Sequence, residues 1–152
     1  MKGFKITIIC LILAVINSYS QTNNFTSVSC YSRGEYDVKV ELDTNMDYQY
    51  VLGEDGKKIY TTLSYIETGS IFIFKNDYKM FTHITERITS NYYLTDPEDR
   101  VDLMGYSTLS VVSDAGNNYE YIFDTKNNVV SITYMNPKGQ CILIEFRIKT
   151  IF

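Results

Sequence analysis

The chain has 152 residues, with 14 basic and 18 acidic side chains, one histidine, three cysteines and no tryptophan. An apolar fraction of 45% beside 21% charge excludes wholesale disorder, and the acidic balance excludes a strongly basic nucleic-acid binder. One imidazole and few thiols leave no multi-histidine zinc site or cysteine-rich cluster, and the length suits one domain.

The N-terminus has the shape of a secretory signal peptide. Lys2 and Lys5 supply the positive start, 6–16 is an apolar stretch broken only by Thr7 and Cys10, and Ser18 and Ser20 are small residues where a peptidase reads. Eleven apolar residues are too few to span a hydrocarbon core of ~30 Å, and Cys10, behind Ile9, sits too early for a lipoprotein. Cleavage after Ser20 leaves residues 21–152 as a single β-domain, secreted or periplasmic, with no membrane span. That mature chain holds 12 basic against 18 acidic groups, a net charge of −6 that disfavours polyanions and anionic membranes. Two cysteines remain, Cys30 and Cys141, and an oxidising compartment favours pairing them over two free thiols. Asn24-Phe25-Thr26 matches the N-glycosylation sequon, which has meaning only in a eukaryotic secretory pathway.

Alternation of period two dominates the mature chain. A strand is predicted over 25–31, turned by Ser32-Arg33-Gly34 into a second. There Tyr36, Val38, Val40 and Leu42 form a packed face, against a wet face of Glu35, Asp37, Lys39, Glu41 and Asp43. Asp55-Gly56 separates 46–52 from 58–65, and Asn76-Asp77 separates the run 71–74 from 78–88. Thr95 to Leu103 carries a capping residue, an early proline and N-terminal acids, predicting a helix of about two turns near 96–104. Its Val101, Leu103 and Met104 are placed to close one end of the core. Ala115-Gly116-Asn117, Lys126-Asn127-Asn128 and Pro137-Lys138-Gly139 then punctuate three further strands, ending in Ile142, Ile144, Phe146 and Ile148. Nine or ten short strands joined by tight turns predict an antiparallel meander closed as an up-and-down β-barrel, with a two-sheet sandwich as the alternative. If 25–31 and 140–149 are the first and last strands, Cys30 and Cys141 share an edge and a disulfide joins them. The size is that of small lipid-binding barrels, but the chain lacks the Gly-x-Trp of lipocalins and any paired N-terminal helices, so the likeness is one of architecture alone.

Candidate sites are few. His83, the only imidazole, falls on a strand that turns it away from Glu86, and no nucleophile motif lies nearby, so it reads as an ordinary strand residue. Asp96, Glu98, Asp99 and Asp102 lack calcium-loop spacing and suit a helix N-terminus. The aromatic load is the stronger signal: 13 Tyr and 7 Phe among the 132 mature residues. Tyr48, Tyr50, Tyr60, Tyr65, Tyr119, Tyr121 and Tyr134 sit on predicted strands, where sheet packing or a ligand-binding face accounts for them. The composition therefore favours a non-enzymatic binding module, with a small apolar or glycan ligand in a Tyr/Phe-rich pocket or on such a face. The alternatives are a protein-interaction domain with a filled core and, last, a carboxylate-based hydrolase. No residue pattern calls for a cofactor, a metal or nucleic acid.

Overall fold

Alternating side chains make strands wherever one face finds a core, and among the described residues they make ten. The computed structural model describes residues 27–152; the predicted leader and the Asn24 sequon lie outside the described residues. The strands are β1 (Ser27–Val38), β2 (Val40–Leu42), β3 (Tyr48–Tyr50), β4 (Tyr60–Lys75), β5 (Met80–Thr85), β6 (Thr89–Leu94), β7 (Tyr106–Ser113), β8 (Asn118–Asp124), β9 (Val129–Met135) and β10 (Cys141–Ile151). Eight of them close a barrel in the order β1-β10-β9-β8-β7-β6-β5-β4, every pair antiparallel. The architecture is thus the up-and-down barrel, not the sandwich. β2 and β3 form a separate hairpin between β1 and β4. The predicted turns sit where positive φ was expected: Gly56 at 74°, Gly116 at 81°, Gly139 at 78°, and Asn76, Asp77 and Asn128 between 50° and 57°.

β1 departs from the predicted pattern. Ser32-Arg33-Gly34 is not a turn but the middle of a 12-residue strand. Tyr31 is an extra residue there: Cys30 pairs with Ile148, and Ser32 with the next residue, Arg147. A bulge of this kind shifts every later side chain to the other face. Below it Val28 and Cys30 point into the core. Above it Arg33, Glu35 and Asp37 face inward, opposite Phe146, Ile144 and Ile142. The side predicted to be wet is therefore the inner wall. Tyr36 turns outward, where its ring lies over Gly34; a Cβ at that glycine would stand 2.7 Å from Tyr36 Cζ. Val38 and Cys141, paired on the outer face, are nonetheless buried. The 39–59 segment folds back over them: Lys39 N–H donates to Ile59 O at 2.9 Å, and Tyr50 reaches Thr133 on β9.

The same register removes the predicted disulfide. Cys30 lies near the start of β1 and Cys141 is level with its end, opposite Val38. Eight residues of strand separate the two levels, roughly 25 Å at strand rise, against the ~7 Å that a bridge tolerates. Both thiols are free and buried. The expectation failed because β1 continues through the residues read as a turn.

No helix forms near 96–104. The acids there fold the chain by local bonds instead: Asp96 Oδ1 accepts from Glu98 N–H at 2.8 Å, and Asp102 Oδ1 from Met104 N–H at 2.8 Å. Such side-chain acceptors compete directly with helical carbonyls. The loop still closes the barrel as expected of it. Val101 and Leu103 are each 6% exposed within the core cluster, while Met104 stays in solvent.

Beneath that plug, aromatic rings fill half the barrel. Phe72 is wholly buried and stands 5.6–6.3 Å from the rings of Phe81, Tyr121, Phe123 and Phe146, edge to face with each. Burying one such side chain contributes about 1.5–3 kcal/mol.

Two measurements follow. Denatured without reductant, the protein should take one alkylating adduct at each of Cys30 and Cys141; a mass unchanged by alkylator would restore the disulfide. In urea denaturation, Leu103→Ala should cost about 2–4 kcal/mol and Met104→Ala no more than about 0.5.

Candidate binding cavity

The half of the barrel away from the plug is hollow. A cavity of about 870 Å³ opens past the β5–β6 turn, where Thr85, Glu86, Arg87 and Ile88 form its rim. Ile66, Ile132, Ile144 and Phe146 supply apolar wall, and Tyr92, Tyr119, Tyr121 and Tyr134 supply rings with polar tips. Successive inward positions of the strands put them there. Tyr92 and Tyr119 stand 5.8 Å apart and Tyr119 and Tyr134 6.3 Å apart, both edge to face.

Polar groups sit deep within this wall. Ser70 continues upward the inward face of β4 that carries Phe72 and Phe74, and it is 3% exposed. His83, on β5, is 7% exposed and pairs directly with Phe72. Its ring lies flat on Phe72 at 4.1 Å and 13°, with Phe146 edge-on at 4.9 Å. Tyr121 is fully buried. Among the described residues Ser70 Oγ, His83 Nε2 and Tyr121 Oη find no well-formed hydrogen-bond partner. The Tyr92 side chain approaches Tyr121 and the Cys30 thiol approaches Ser70 closely enough to perturb one another's titration through a weak hydrogen bond, but neither contact has the distance and angle of a well-formed one. Each orphaned group costs about 1–3 kcal/mol of desolvation. Three in one cavity wall call for an explanation.

Charge enters through β1. Arg33 Nη2 donates to Glu35 Oε2 at 2.8 Å, both side chains about a quarter exposed. Burial, seconded by the nearby Arg33 charge, lowers the His83 pKa from 6.5 to about 4, so the ring is neutral at pH 7. Burial pushes the Tyr121 phenol up, with Tyr92 and Tyr119 adding to the effect, and it drives the Cys30 thiol up to about 12.

The seven tyrosines of the sequence reading divide. Tyr119, Tyr121 and Tyr134 line the cavity. Tyr48, Tyr60 and Tyr65 are exposed, at 61%, 57% and 56%. Tyr50 lies on the hairpin with Lys58 Nζ 3.7 Å above its ring. Sequence reasoning missed Tyr92, Arg33 and Ser70 and set His83 aside. Glu86 lies in a turn, not on the strand, so strand alternation does not separate it from His83, and both line the cavity. The missed signal was polar residues in phase with a core face: Ser70 precedes Phe72 and Phe74 at the same period.

Among the described residues no group of His, Cys, Asp or Glu is arranged to hold a metal ion, and no helix is long and apolar enough to cross a membrane. The chain matches no known family, no curated protein and no solved structure.

The histidine gives a direct test. Folded protein keeps the ring neutral to about pH 4, whereas the unfolded chain protonates near 6.5. Between those values the unfolded state binds more protons. The stability that comes from a neutral His83 is complete above pH ~6.5 and falls toward pH 4, by at most about 1.4 kcal/mol per pH unit. NMR titration of the single imidazole should give a midpoint near 4; a midpoint near 6.5 would show a solvated ring.

Proposed function

We propose that this domain binds a small, largely apolar molecule inside its barrel and does so without catalysis. One observation carries the reading: three buried polar side-chain atoms stand unpartnered in the wall of an open, mostly apolar cavity. Ligand sites commonly have this make-up, apolar walls with a few placed polar groups. A volume of about 870 Å³ is of the size that holds one small ligand. Isoleucine-rich walls favour an apolar body over a bare glycan.

Catalysis has less support. His83 is pressed face to face on Phe72 and its Nε2 bonds to no carboxylate. Two of the four acids of the 96–102 loop, Asp96 and Asp102, are spent on backbone turns. We take the domain to be exported, on the strength of the leader-like residues 1–20. A protein-contact role has its own support in the exposed apolar residues of β4, Tyr60, Leu63 and Tyr65.

A neutral fluorescent probe, N-phenyl-1-naphthylamine, separates the two. Its emission should rise on mixing with the wild-type domain and saturate at one site. Ile144→Trp, which pushes a larger ring into the cavity, should cut the rise sharply, whereas Tyr65→Ser on the outer face should leave it unchanged. A rise that Ile144→Trp leaves undiminished would place the probe on the outer surface and remove the reading.

A further inference from the structure

Which end group the cavity accepts follows from its charges and its orphaned atoms. The inference rests on the binding role proposed above. Among the described residues Arg33 is the one cation in the wall below the rim, and its guanidinium is already bonded to Glu35 at 2.8 Å. A carboxylate arriving there would have to displace Glu35 or lie beside it. At the mouth, Glu67 and Glu86 face a single base, Arg87. The approach is therefore slightly acidic, which opposes an anion. A cation meets the opposite obstacle deeper in, since Arg33 stands in the wall and the orphaned atoms offer no negative charge.

The orphaned atoms themselves are neutral. Ser70 and Tyr121 bring hydroxyls, each able to donate and to accept. His83 brings one ring nitrogen, donor or acceptor by tautomer, and its ring is fixed between Phe72 and Phe146. All three side chains are more than nine-tenths buried and belong to the cavity wall, their polar atoms almost without exposed surface of their own. A neutral hydroxyl both donates and accepts and so suits this set whichever tautomer His83 holds, whereas a carboxylate or an ammonium would match it only by bringing a charge into the wall. Charge in this low-dielectric wall would also go uncompensated.

We infer that the ligand is an uncharged alcohol: an apolar ring or chain body between Ile132, Ile144, Tyr119 and Tyr134, with its hydroxyl directed down to Ser70, His83 and Tyr121. The hydroxyl supplies the hydrogen bonds that these groups lack, and the tyrosine rings pack on the body.

The test is displacement of bound N-phenyl-1-naphthylamine at pH 7 by three molecules of equal chain length, 1-decanol, decanoate and decylamine. Decanol should displace the probe at a concentration at least tenfold lower than either charged analogue. Tyr121→Phe and Ser70→Ala, which preserve the packing, should each weaken decanol about three- to tenfold more than they weaken the probe. Decanoate or decylamine competing as well as decanol would overturn the inference. So would a decanol midpoint that neither substitution moves. In both cases a probe that still binds, and that Ile144→Trp weakens, leaves the cavity role standing. A probe that never binds removes both readings together.

Discussion

The fold depends on β1 being hydrogen-bonded along both edges. Its 12 residues pair with β10 on one side and β4 on the other. Without it the remaining seven barrel strands would be an open meander with two long, unpaired edges. Closure is not its whole contribution. The bulge at Tyr31 changes which residues of this strand face inward partway along the barrel, so that one strand presents Val28 and Cys30 to the plugged half and Arg33 and Glu35 to the hollow half. Two interiors of different character are thereby written into one continuous element.

The two halves support each other. Phe72, at their boundary, has aromatic neighbours on the plugged side and the His83 imidazole flat against it on the hollow side. The imidazole thus serves as a packing surface first. Its neutrality follows from that placement, since a charged ring among Phe72 and Phe146 would lose its water without gaining a counterion. The unpaired polar atoms cost stability, which the filled half can sustain because its rings are wholly buried. Local violations of good packing of this sort concentrate where a protein does its work.

Much of the barrel was legible in the sequence because half-buried strands and tight turns write periodic, local signals. Gly116, Gly139 and Asn128 mark turns through backbone conformation alone, and Val101 and Leu103 announce a buried loop whatever its local geometry. What the sequence obscured was non-local. A single extra residue at Tyr31 inverts the face of everything after it, so Arg33, Glu35 and Asp37 read as solvent-facing when they form inner wall. The same misreading ended β1 early and brought Cys30 and Cys141 together on paper. The helix near 96–104 failed for a different reason. Asp and Asn serve helix caps and turns by the same hydrogen bond, and nothing in the local sequence says whether a helix follows. Of the cavity, three tyrosines were visible through strand propensity. Ser70 and Tyr92 were not, because a polar residue in phase with a core face is ambiguous until the interior is known to be hollow.

The two ends of the described chain meet. Phe152 N–H donates to Ser27 O at 2.9 Å, at the same pole as the Leu103 plug and opposite the rim formed by Thr85 to Ile88. A tether attached directly at Ser27 or Phe152 would therefore start from the sealed pole, away from the open one. The same juxtaposition makes the barrel a ring in connectivity as well as in hydrogen bonding. Joining 152 to 27 and cutting instead at the exposed Asp55-Gly56 turn would preserve every barrel pairing. The β2–β3 hairpin would stay whole beside the new C-terminus, and the cavity would be reached by the same route.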